Sequence, residues 1–191
     1  MKLTYPPQEI DVEKRNDGTL ILSSPIKLEQ PEINIHSKFK KTCDEFPNNI
    51  WLAEKLDNSW REINYKTAYE YINSISQYLV NIKLNQNKGI MILSGNSLDH
   101  GLLNVAGLCC GVPVSPISVA YSLMSSDYAK LKHCFELVSP GLIYVEDGLM
   151  FEKALENLPI DNITVVCSRN PSTKYKMILF KDLLSTSIEI N

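Results

Sequence analysis

No stretch of this sequence is long and apolar enough to span a bilayer. The nearest approach, Leu102 to Val114, is interrupted by Asn104, Gly107 and Gly111 and is too short for a transmembrane helix. There is no excess of charge of either sign beyond a formal −3, so no basic field exists to recruit nucleic acid or anionic lipid. The opening residues, MKLTYPPQEIDVEKR, have neither an apolar centre nor a small-residue cleavage site and do not read as a signal peptide. The five cysteines, Cys43, Cys109, Cys110, Cys134 and Cys167, are too few for a disulfide framework, and no CxxC or Cys/His set provides metal-ligand spacing. Adjacent Cys109 and Cys110 lie in an apolar run, where a thiol behaves as a small hydrophobe. Together these absences predict a chain of the reducing cytoplasm with no membrane and no nucleic-acid partner.

What is present is an ordinary globular balance, 44% hydrophobic and 21% charged over 191 residues. That length supports one substantial core. Residues 1–34 read as an extended N-terminal segment, with a short apolar burst at Gly18 to Leu22 that fits a hairpin-like or edge strand. Ile35, Phe39, Cys43 and Phe46 recur at near-helical spacing, and Pro47 ends that helix. Ile50 to Leu56 and Trp60 to Ile63 flank Asp57-Asn58-Ser59 as a β-hairpin. Ala68, Ile72, Ile75, Leu79 and Ile82 then line one face of a helix for which Asn64 is the N-cap. Tyr65, Tyr69 and Tyr71 decorate it and read as core-edge cover.

From Gly89 the pattern alternates between strand and helix. Strands are expected at Ile90–Leu93, Val112–Val114, Leu142–Val145 and Ile163–Val166, and helices at Leu98–Cys110, Leu123–Val138 and Met150–Leu158. Met177 to Phe180 adds a further apolar burst before a weak helix. Near-continuous apolar strands separated by helices predict an α/β fold with a mostly parallel sheet and helices on its faces.

The turn Ser94-Gly95-Asn96-Ser97 after the first of these strands stands where doubly wound folds hold phosphate or expose a nucleophile. It has one glycine, without GxGxxG and without a Walker Gly-Lys-Ser/Thr. As a hydrolase elbow, Gly95-Asn96-Ser97-Leu98-Asp99 would use Ser97, with Asp127 or Glu136 and His133 completing a triad. Those three fall on one expected helix, whereas a triad converges from separate elements. Asn96 or Ser97 as a helix cap, with Asp99 in the positive first turn, needs less. His36, His100 and His133 have no partner spacing. The carboxylate pairs Asp44-Glu45 and Glu146-Asp147 read as solvated turns or helix ends. No catalytic, cofactor-binding or metal-binding residue is assigned from these patterns.

The run Trp60-Arg61-Glu62-Ile63-Asn64-Tyr65-Lys66-Thr67-Ala68 resembles the first motif of the adenylate-forming (AMP-binding) acyl-CoA synthetases, with Asn64 where Thr or Ser usually caps the helix. Ile92 to Ser97 and Ala106 to Pro116 are similar to that family's next strand–helix–strand unit, including its Gly-Val-Pro step. Within the family the resemblance is strongest to the feruloyl-CoA synthetase branch, carried by Asp17 to Pro25, by Val114-Ser115-Pro116 with Ala120 to Ser125 and Ala129 to His133, and by Pro140 to Gly148. It weakens after about Val166.

The resemblance implies a chemistry: a carboxylate such as a hydroxycinnamate is activated by ATP with magnesium to an acyl-adenylate, and the acyl group then passes to coenzyme A. It also implies that residues 35–191 are a partial N-terminal AMP-binding ligase domain. The Ser/Thr/Gly-rich phosphate loop ending in Pro-Lys is missing, as are the C-terminal domain and its lysine. Asn170-Pro171-Ser172-Thr173-Lys174 imitates the loop but lacks glycine. The expectation is therefore an N-terminal fragment, inactive alone and binding no ATP, magnesium or CoA itself, with the remainder of the ligase as a possible separate partner chain. The alternatives are one half of a split ligase, a non-enzymatic interaction module, and, remotely, the Ser97 hydrolase. Leu102, Val105 and Leu108 are expected on a helix face left apolar and uncovered, as a fragment would keep it.

Overall fold

The computed structural model describes residues 9–27, 34–56 and 58–189, and they fall into two units, Met1–Ile33 and Asn34–Asn191. In the first, β1 (Asp11–Lys14) pairs antiparallel with β2 (Leu20–Ser23). Gly18 takes φ +88° in the connecting turn, and Asp17 Oδ1 accepts from the Thr19 amide at 2.9 Å.

The second unit begins with α1 (Ile35–Glu45), capped by Asn34 through the Ser37 amide. It stops before Pro47, as the sequence predicts. β3 (Ile50–Leu56) and β4 (Ser59–Asn64) form the expected hairpin; part of its turn, Asp57, lies outside the described residues. Pleating puts Leu52 and Ile63 on the same face, followed by Glu54 and Arg61, then Leu56 and Ser59. That face meets the body of the unit: Ile63 is buried, and Leu52 packs on the core. α2 (Tyr65–Asn81) starts where Asn64 Oδ1 accepts from the Thr67 amide at 2.8 Å, and it buries Ala68, Ile72, Ile75 and Leu79. Ile82 closes the helix as its C-cap and, half-buried, still packs on the same core.

Five strands, β5 (Ile90–Leu93), β6 (Val114–Pro116), β7 (Leu142–Asp147), β8 (Thr164–Arg169) and β9 (Met177–Leu179), make one all-parallel sheet in the order β6-β5-β7-β8-β9. Their period of two separates two cores. Ile90, Ile92, Leu142, Tyr144 and Val166 face α2 and α3 (Leu98–Cys109), together with Phe180 and Leu183 of α7 (Phe180–Leu183). Met91, Leu93, Ile143, Val145, Val165 and Cys167 face the opposite layer of α4 (Val119–Leu123), α5 (Ala129–Val138) and α6 (Glu152–Glu156). The central side chains are fully enclosed, and each such aliphatic contributes about 1.5–3 kcal/mol relative to exposure.

Four expectations are corrected. The helix expected over Leu123–Val138 begins only at Ala129, and a separate short helix, α4, ends at Leu123, because Ser125 Oγ takes the Tyr128 amide, Asp127 Oδ1 takes the Ala129 amide, and Tyr128 adopts φ +56°. These side chains offer the backbone a turn in place of a continuous helix. The strand expected at Val112–Val114 begins at Val114, since the Val112 amide still donates to Gly107 of α3. A fifth strand, β9, joins the four expected ones by an irregular crossover through residues 170–176, which carries no helical period to announce it. Finally, the α3 face expected to be bare is largely covered: Leu102 is fully buried, Val105 half-buried, and only Leu108 is exposed. The hairpin and α2 supply that cover; Leu52 lies so near α3 that a Cβ on Gly101 would stand 2.6 Å from Leu52 Cδ1.

Candidate functional site

In the strand order β6-β5-β7-β8-β9 the first strand of the sheet lies between the second and the third, so the chain reverses direction across the sheet between β5 and β7. In open parallel sheets the crevice outside the carboxyl ends of the strands at such a point is where ligands bind. Here it is bounded by the 94–98 turn, by Glu146 near the end of β7, by Ser168 and Arg169 at the end of β8, and by the inner face of the β3–β4 hairpin. A cleft of about 510 Å3 lies between Glu54 to Leu56, Asn96 to Leu98, Glu146 and Arg169. A neighbouring recess of about 330 Å3 reaches Asp99, Tyr144 and Ser168, with Phe180 and Leu184 as its apolar wall.

The turn itself is occupied by the protein's own carboxylates. Glu146 Oε2 accepts from the Gly95 amide at 3.0 Å, and Glu54 Oε2 accepts from the Leu98 amide at 2.8 Å. Ser97 is the N-cap of α3, its Oγ accepting from the His100 amide at 3.1 Å. His100 folds back, its Nδ1 lying 3.0 Å from Ser94 Oγ and 3.1 Å from the Gly95 carbonyl. Of the amides at this helix start, those of Gly95, Leu98 and His100 are thus engaged from within the chain, and negative charge at the positive end of α3 is stabilising in itself.

Behind the turn runs a connected polar network. Arg61 donates from one nitrogen to Glu54 Oε1 and from another to Asp99 Oδ1, both at 2.9 Å. Ser168 Oγ lies 2.5 Å from Asp99 Oδ2, and Tyr144 Oη lies 2.7 Å from Ser168 Oγ. Asp99 accepts at both oxygens, so Ser168 is the donor to it and Tyr144 the donor to Ser168. Burial pushes the Tyr144 phenol well above its ordinary value, which keeps that proton in place. Burial works against the Arg61 cation, yet Asp99 and Glu54 outweigh it and raise the guanidinium further. The planar fork of Arg61 fits two carboxylates at once. The network ties the hairpin to α3, β8 and β7 in one chain of contacts.

The sequence-named hydrolase set does not assemble. Asp127 precedes α5 and accepts from the Ala129 amide, His133 and Glu136 are exposed along that helix, and Ser97 is engaged as a cap on α3. His36 stacks on Tyr69 with centroids 6.1 Å apart. Cys109 and Cys110 are half-buried, and burial pushes the Cys109 thiol up to about 11, away from reactivity. Glu146 and Asp147, expected as solvated turn residues, are engaged: Asp147 is buried and accepts from the Leu149 and Met150 amides and from Arg169 and Asn170. The 170–174 segment is fastened down in the same way. Asn170 donates to Asp147, Ser172 to Glu152, and Lys174 lies 2.8 Å from Glu152 and 2.5 Å from Glu156. Its hydroxyl and ammonium serve carboxylates of α6, not a phosphate. Among the described residues no group of three acidic, His or Cys side chains is gathered for a metal ion, and no helix is long and apolar enough to cross a membrane.

Sequence reasoning missed Glu54, Arg61, Ser168 and Arg169. Glu54 and Arg61 carried one usable signal: the expected hairpin places them opposite one another on the face that also carries Leu52 and Ile63. Ser168 and Arg169 carried none, since the strand was expected to end at Val166.

No protein-family model matches this chain. A long-chain-fatty-acid–CoA ligase of Xenopus laevis is 24% identical over 126 residues, which is 66% of this chain and 16% of that protein. Among solved structures, the luciferase-like enzyme of the nonluminescent mealworm Zophobas morio superposes with a TM-score of 0.64 at 18% identity, over 84% of this chain and 36% of its own. A benzoate CoA ligase of Burkholderia xenovorans gives 0.64 at 12%, over 82% and 29%. The N-terminal subdomain of Klebsiella oxytoca NpsA, solved with anthranilyl-AMSN, gives 0.53 at 14%, over 83% and 34%. The chain thus spans about a sixth of its curated relative and about a third of these solved chains. Its parallel five-stranded sheet and flanking helices match the fold of the N-terminal subdomain of adenylate-forming ligases, and its sequence is similar to part of one long-chain-fatty-acid–CoA ligase.

Proposed function

We propose that this chain is an N-terminal portion of an ATP-dependent, AMP-forming acyl- or aryl-CoA ligase and that it does not activate a carboxylate by itself. One observation carries the reading. The crevice at the sheet's switch point stands where such folds bind ligands, but Glu54 and Glu146 place negative charge there and take the Leu98 and Gly95 amides. The related ligases extend far beyond the part this chain matches. On this reading the unit is scaffold: it supplies a rigid wall, and the residues that hold ATP, magnesium and CoA come from the rest of the ligase, either on the same polypeptide or on a second one. The substrate is a hydroxycinnamate-type aryl acid, a reading that rests on the sequence resemblance of Val114 to Ser125 and Pro140 to Gly148. The setting is the cytoplasm, without membrane or nucleic-acid partners.

The test has two parts. Sequencing the native DNA and transcript past the codon for Asn191 in all three frames is expected to find a Ser/Thr/Gly-rich loop ending in Lys. The purified chain, given ATP, magnesium and ferulate, benzoate or a long-chain fatty acid, is expected to show no ATP–pyrophosphate exchange until a polypeptide carrying the remainder is added. Exchange by the chain alone overturns the reading.

A second reading, a stand-alone interaction module, is favoured by the cover that the hairpin and α2 give to α3, since Leu102 is fully buried without any further partner. Absence of any downstream or separate ligase segment, together with a cooperative monomeric melt, selects it.

A further inference from the structure

We draw no further inference here: the strongest candidate, the surface of exposed apolar side chains at the end of α4 (Leu123 and Met124) and before α6 (Leu149 and Met150), carries nothing because nothing in the structure shows what covers it.

Discussion

Glu54 Oε2 lies 2.8 Å from the backbone nitrogen of Leu98, so a side chain from the middle of a β-hairpin caps a helix forty-four residues further along. The other oxygen of the same carboxylate accepts from Arg61. One residue thus serves the helix start, the hairpin pair and, through Arg61, the Asp99 network. Glu54→Ala removes the first two and leaves Arg61 held by Asp99 alone. A charged hydrogen bond to the buried amide is worth about 1.5–3 kcal/mol and the half-exposed Arg61 pair only a few tenths more, so a loss of about 2–3 kcal/mol in urea unfolding is expected. Glu54→Gln, which keeps an acceptor for the amide, is expected to recover part of it. Equal losses in the two variants would show that the amide contact contributes nothing.

Ser97→Ala separates the two roles weighed for that serine. As a helix cap its loss costs about 0.5–2 kcal/mol of stability. As a nucleophile its loss would abolish ester hydrolysis. With Ser97 Oγ engaged by the His100 amide, the expected outcome is a lower unfolding midpoint and no change in any background esterase rate measured with a chromogenic ester.

Gly107 lies in the interior of α3, where alanine ordinarily favours the helix by about 1 kcal/mol. Here a Cβ would stand 2.3 Å from Val114 Cγ2 and 3.1 Å from the Val112 carbonyl, against the strand β6. Overpacking of that sort costs about 1–3 kcal/mol and outweighs the propensity gain. Gly107→Ala is therefore expected to lower thermal stability, and a raised melting temperature would refute the tight α3–β6 packing.

Acid should weaken the joint between β7 and β8. Burial alone would push the Asp147 carboxyl up, but the Met150 amide, Asn170 and Arg169 together hold it below its ordinary value of 3.8. A carboxyl depressed in the folded state contributes stability that is fully present above that ordinary value and is lost as pH falls through the folded one. Unfolding midpoints measured between pH 6 and pH 2.5 should drop in the acid range, and Asp147→Asn should flatten the part of the drop due to this group. An unchanged profile in the variant would place the acid sensitivity elsewhere.

Much of the architecture was legible because it depends on local periodicity. The steps of four and three from Ala68 to Leu79 require a helix with one buried side, and Asn64 marks its start by chemistry alone. The continuous apolar strands Ile90–Leu93 and Leu142–Val145 require cover on both faces, which already excludes an open antiparallel sheet. The late start of α5 at Ala129 was not legible: Leu123 to Val138 keeps a helical apolar pattern, and only the hydrogen bonds of Ser125 and Asp127 reveal that the backbone turns between α4 and α5. The fifth strand was hidden for a different reason, since three residues are too few to display a period.

The turn at Ser94 to Ser97 shows where sequence information stops. Its residues determined that the chain would pass from strand to helix, that Asn96 or Ser97 would cap, and that no glycine-rich cradle was present. Whether its amides were free for a ligand was decided by Glu54 and Glu146, which stand forty-four and fifty-one residues away from the amides they meet. Likewise Arg61, Asp99, Ser168 and Tyr144 have no common motif; parallel pairing of β7 with β8 and docking of the hairpin on α3 bring them together. Periodicity, caps and turns act over a few residues and are written in the sequence. The partners of a buried charge are fixed only when distant elements pack, because the cost of leaving that charge unpaired is met by whichever group the fold brings within reach.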